Sequence, residues 1–176
     1  MHRAACLAVA LAGLTLTGFA TAAPTTPRAV VSFPPGWRVL PAHDGLVSAR
    51  HPRDHARCNT DVVRVASMDA ATQDALNAEL DKPWGAAEWA AFLGAPAGKV
   101  ELVSTEVRPA GPWRFRTATL LIRKGATRVT REDVYGRVRL QLVPGRILIA
   151  ACYAPVRHWP AERAGMEATV GSLRGE

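Results

Sequence analysis

The stretch from residue 100 to residue 153 constrains this chain most. Four segments rich in β-branched, aliphatic and aromatic side chains follow one another: 100–107, 113–123, 129–143 and 146–153. Lys124-Gly125-Ala126 and Pro144-Gly145 supply turn chemistry between the later ones. Connections this short join antiparallel neighbours, because a parallel pair needs a crossover of about a dozen residues or more. The third segment alternates: Val134, Val138, Leu140 and Leu142 point one way, and Tyr135, Arg137, Arg139 and Gln141 the other. The fourth is almost wholly apolar, the pattern of a central strand covered on both faces. A β-meander is therefore expected, with something packed on each side of it.

The remaining segments supply those layers. Residues 29–33, 37–40, 46–50 and 60–67 read as short strands, broken by Pro34-Pro35-Gly36 and His51-Pro52. Asp69 is placed to cap a helix over 70–80, which carries Leu76 and Leu80 one turn apart and stops at Lys82-Pro83. A second helix, 86–93, sets Trp89 beside Phe92 and Leu93 and ends at Gly94 and Pro96. His158-Trp159-Pro160 opens a last helix with an apolar stripe at Met166, Val170 and Leu173. The expected class is α+β: one antiparallel sheet with a mid-chain helical insert and a C-terminal helix packed on it, in a single domain over 29–174.

The first 22 residues read as a cleaved secretory signal peptide. His2 and Arg3 precede an uncharged, mostly apolar run, and Ala20-Thr21-Ala22 offers small residues for cutting after Ala22. Residues 23–28 read as a flexible Pro/Thr linker. Cys6 lies too far inside the apolar run to be a lipidation site, and no later run is long and apolar enough to span a bilayer. The expected location is the periplasm or the outside of the cell. Cleavage leaves 154 residues and lowers the formal charge from +7 to +6, since Arg3 is the leader's only charge. A chain of that length buries about 70% of its unfolded surface and can hold a full core. It also leaves two cysteines, Cys58 and Cys152. In an oxidising compartment an even pair is expected to form a disulfide.

Phe33-Pro34-Pro35-Gly36-Trp37, the mid-chain helical insert, the long meander and a last helix ending Gly171-Ser172-Leu173-Arg174 together resemble the PsbP-like fold. The resemblance spans residues 29–174. It implies an α/β/α sandwich, an antiparallel sheet between helices. It also implies a binding or accessory role, since the fold serves photosystem extrinsic proteins, a Ran-binding import factor and small exported bacterial proteins. The leader and the basic charge argue against the import branch, and no residue supports a photosynthetic role.

Motifs for chemistry are few. None of Ser32, Ser48, Ser67, Ser104 and Ser172 lies in G-x-S-x-G, and H-E-x-x-H, P-loop and G-x-G-x-x-G patterns are absent from the sequence. The expectation is a protein with neither enzymatic activity nor a cofactor. His51, His55 and Cys58 form H-x3-H-x2-C, a zinc- or copper-type ligand set. A Cys58–Cys152 bond would remove its thiolate, so metal binding is the alternative reading. The positive charge is nearly all arginine, with Lys82, Lys99 and Lys124 the only lysines. Arg137 and Arg139 share a strand face with Tyr135, and Trp84 and Trp113, next to Pro and Gly, are candidates for exposed contacts. These five residues are the expected surface for an acidic partner protein. Export and sparse aromatic interleaving argue against nucleic acid. Nothing in the chain speaks to its oligomeric state.

Overall fold

The computed structural model describes residues 29–41, 46–53, 55–128 and 130–175. The signal peptide and linker expected over 1–28 lie outside the described residues. In chain order the elements are β1 (Ala29–Val30), β2 (Arg38–Val39), β3 (Val47–Arg50), β4 (Arg57–Arg64), α1 (Gln73–Asp81), α2 (Ala86–Leu93), β5 (Val100–Ala110), β6 (Trp113–Ile122), β7 (Val134–Val143), β8 (Arg146–Pro155), α3 (Trp159–Gly171) and β9 (Arg174–Gly175). Seven strands form one sheet in the order β2-β3-β4-β8-β7-β6-β5, with every neighbouring pair antiparallel. β1 and β9 pair separately, tying the start of the domain to its end.

Two cores explain the architecture. On one face Leu76 and Leu80 of α1 and Trp89 of α2 pack on Ala118, Leu120, Val138 and Leu140. On the other, Met166 and Val170 of α3, with Leu173 after it, pack on Phe115, Ala150, Cys152 and Ala154. β8 contributes to both cores, which accounts for its continuous apolar sequence. The result is the three-layer α/β/α sandwich. Cys58 and Cys152, directly opposite each other on β4 and β8, are disulfide-bonded beneath α3.

The turn between β7 and β8 shows why its sequence is Pro144-Gly145. Gly145 has φ of 73°, a left-handed conformation that suits glycine. A Cβ there would also collide with the Asp69 carboxylate. The preceding chain grips this turn: Val65 N–H donates to Gly145 O at 2.8 Å, and Gly145 N–H donates to Met68 O at 3.0 Å.

Several expected boundaries move, the first strand for example ending at Val30 and not at residue 33. Residues 66–68 form a 3-10 turn, so α1 starts at Gln73 with Thr72 as its cap, the Thr72 hydroxyl accepting from Ala75 N–H. Asp69, expected in that role, pairs with Arg64 instead. β4 spans 57–64, not 60–67, because its pairing with β8 begins at Arg57↔Tyr153. β7 starts at Val134; Val129, its expected start, lies outside the described residues. Asp133 folds the preceding segment back by accepting from Lys124 N–H at 2.8 Å and from Arg123 Nη1 at 2.9 Å. The second helix keeps its expected 86–93 bounds, with Gly94 left-handed at its C-terminus.

The Asp133 carboxyl is held below its ordinary pKa, first by the Lys124 N–H and then by the Arg123 guanidinium. A depressed folded pKa means the contribution to stability is complete above the ordinary carboxylate range and is lost as pH falls through the folded value. In Arg123→Ala, an NMR titration should move the Asp133 midpoint up, but only part of the way, since the Lys124 N–H remains. An unchanged midpoint would remove Arg123 from this account.

Candidate functional site

The five residues expected to form a partner surface are not brought together. Tyr135, Arg137 and Arg139 do share a face, but it is the face that α3 covers. The Tyr135 ring lies 5.1 Å from that of Trp159, at the start of α3. Arg137 donates to the Thr119 hydroxyl at 2.8 Å and to Glu106 at 3.2 Å, and its side chain is 16% exposed. Arg139 lies over the Phe115 ring, 3.9 Å from its centroid, and donates to Gly171 O at 2.9 Å. Burial lowers the pKa of its guanidinium, with Glu106 opposing that shift. The expected open arginine face is thus half-buried and neutralised, because alternation assigns a face without saying what covers it. A hollow of about 200 Å³ remains at its edge, lined by both arginines, Glu106 and Glu167.

Trp84 lies on the opposite face, half-buried, with its ring 5.1 Å from Trp89, 5.9 Å from Phe92 and 5.3 Å from the Arg116 guanidinium. It belongs to the core margin rather than to a contact surface. Trp113, at the β5–β6 turn, is 36% exposed and stands apart from the others.

The open part of the sheet is elsewhere. α1 packs on β6 and β7, and α2 packs on β5. Beyond them lies a groove of about 510 Å³ lined by Leu93, Ile122, Val134, Tyr153 and Pro155, with Arg57, Asn59 and Arg131 also on its walls. Arg57 and Arg131 are exposed and have no ion pair among the described residues. Glu132 also borders the groove but is paired with Arg157 at 2.7 Å. Arg57 sits directly opposite Arg50, which sits opposite Arg38, so a row of three arginines crosses β4, β3 and β2. Burial raises the Tyr153 hydroxyl to about 12, so it stays a hydrogen-bond donor throughout the physiological range. Sequence reading missed Arg57 and Arg131 because they are distant in the chain and border one groove only through the β4–β8–β7 pairing.

The histidine motif folds differently from its expected H-x3-H-x2-C form. Cys58 is bonded to Cys152 and carries no free thiolate, so it is not a ligand. His51 and His55 sit in the tight β3–β4 connection, closed by His51 N–H donating to Ala56 O at 3.0 Å. Their ligand atoms and a Glu162 carboxylate oxygen all lie within 4.8 Å of one another. His158 stacks on His55, with centroids 3.9 Å apart. Burial, then His55 and Arg157, lowers the His158 pKa.

Among the described residues no helix is long and apolar enough to cross a membrane. No protein-family model matches the chain. No curated protein matches it in sequence. Solved structures do. The Synechocystis PsbP protein CyanoP aligns with TM-score 0.53 at 11% identity, over 92% of this chain and 99% of its own. LpqN of Mycobacterium tuberculosis, involved in cell envelope biogenesis, gives TM-score 0.50 at 11% identity, over 87% and 86%. The Saccharomyces cerevisiae Ran-binding protein Mog1p gives 0.50 at 11%, over 86% and 96%. Identities this low speak to architecture alone, and on that ground the chain has the PsbP-like fold, a seven-stranded antiparallel sheet between helical layers.

Proposed function

We propose that this chain is an exported, non-enzymatic accessory protein of the cell envelope that holds an acidic segment of a partner protein in the groove beside β4 and β8. One observation carries the reading: an apolar floor of Leu93, Ile122, Val134 and Pro155 lies beside Arg57 and Arg131, exposed cations without an acidic partner among the described residues. The floor takes an apolar side chain, and the guanidinium forks take carboxylates in bidentate geometry. The exposed Arg57 and Arg131 speed encounter, while the apolar contact sets how long the partner stays. Export is supported by the leader-like first 22 residues and by the disulfide. The neighbours' names fit the reading: one protein binds Ran and another is involved in cell envelope biogenesis. No reaction is assigned.

Charge reversal tests this. The variant Arg57→Glu with Arg131→Glu is compared with a charge-matched control, Arg108→Glu with Arg163→Glu, both outside the groove. Each mature protein is immobilised at low salt against an envelope extract. Acidic proteins retained by wild type and control should drop at least ~10-fold with the groove variant, and retention should weaken as salt rises. Equal retention by all three proteins would refute the reading.

A further inference from the structure

His51, His55 and Glu162 stand apart from the acidic-partner reading, although His55 borders the groove. Glu162, in the first turn of α3, is 9% exposed. His51 Nδ1 lies 3.8 Å from Glu162 Oε1. That is too long for a hydrogen bond. This largely buried carboxylate and the two imidazoles bring three metal-type donors together from two segments far apart in the chain.

The state of His51 points the same way. Its Nδ1 accepts from Arg53 N–H at 3.2 Å, so it presents a lone pair rather than a proton. Zinc–nitrogen and zinc–oxygen bonds of about 2.0–2.2 Å place tetrahedral ligand atoms roughly 3.4 Å apart. The 3.8 Å separation is therefore within a small side-chain adjustment of that spacing. The exposed Arg53 amide can turn to water when the metal takes the Nδ1 lone pair.

We infer that His51, His55 and Glu162 form a site for a zinc-class divalent transition metal, with a fourth coordination position left open. Two imidazoles and one carboxylate suit zinc and its neighbours, not magnesium or calcium, which prefer all-oxygen sets. The stacked His158 orients the His55 ring, the kind of outer contact that fixes a ligand before the metal arrives. The metal would staple the β3–β4 connection to the N-terminus of α3, two segments already in contact through the His55–His158 stack.

The test uses untagged, oxidised mature protein titrated with zinc(II) by calorimetry and with cobalt(II) by visible absorption. Wild type should bind one equivalent, and cobalt should give the intense bands of a four-coordinate site. His55→Ala and Glu162→Gln should each weaken binding at least ~10-fold. Zinc should raise the wild-type melting temperature but not that of His51→Ala with His55→Ala, and it should move the Arg53 amide resonance. If Glu162→Gln does not fold, His55→Ala and the Arg53 resonance decide. Absence of saturable binding to wild type, or equal affinity in the double histidine variant, would overturn the site and leave a purely structural His51–Glu162 pair.

Discussion

Replacing Trp89 by alanine is expected to destabilise the domain by about 3–5 kcal/mol, the range for truncating a buried aromatic side chain. Trp89 is fully buried, and its ring meets Trp84 at 5.1 Å and Phe92 at 5.7 Å, both edge-on. Such pairs add about 0.5–1.5 kcal/mol beyond the area they bury. The loss would not stay local. Arg116 is 2% exposed, and its guanidinium packs against Trp84 while donating to the Leu80 and Lys82 carbonyls at the end of α1. A cavity at Trp89 therefore loosens α2 and the cap on α1 together. For a domain of this size the melting temperature should fall by roughly 10 °C or more. Trp89→Phe should cost much less, because it keeps most of the ring and removes an indole N–H that has no acceptor among the described residues. Equal losses for the two variants in thermal melts would contradict the packed ring as the source of the stability.

The second large effect is expected at the disulfide. Cys58 and Cys152 are 94 residues apart in sequence, and the bond joins strands that are already paired. Its contribution therefore falls mainly on the unfolded chain, where it closes a long loop. The loop-entropy estimate for that length is about 4–5 kcal/mol, and typical bridges deliver about 2–4. Cys58→Ala with Cys152→Ala should lower the denaturation midpoint accordingly without changing the sheet order, since the β4–β8 ladder runs from Arg57 to Arg64 independently of the sulfurs. Reduction of wild type should reproduce the effect. A midpoint that does not move would mean that the two strands hold each other without the bond.

Much of the fold is legible in the sequence because its signals are local. The alternation of 134–142, the Pro144-Gly145 turn and the α2 residues between Gly85 and Gly94 all report on neighbours in the chain. Errors arise where a distant partner decides. Asp69 has the chemistry of a helix cap, yet Arg64 takes it because the chain first makes a 3-10 turn. Arg137 and Arg139 read as part of an open partner surface, yet α3 lies over that face and Gln141, on the same side of the strand, is fully buried. The histidine motif named two members of the cluster, but the third, Glu162, arrives from α3 more than a hundred residues later. The groove cations Arg57 and Arg131 have no shared pattern in the sequence; only the β4–β8–β7 pairing places them around Tyr153 and Val134.

The central claim is that the groove beside Tyr153, not the arginines under α3, receives an acidic segment. Two-dimensional ¹H–¹⁵N spectra of the mature protein, titrated with a glutamate-rich peptide carrying one leucine, test it most directly. The account predicts salt-sensitive shifts centred on Arg57, Asn59, Arg131 and Tyr153, abolished in Arg57→Glu with Arg131→Glu. Shifts centred instead on Arg137, Arg139 and Gly171, or no shifts around the groove at low salt, would contradict it.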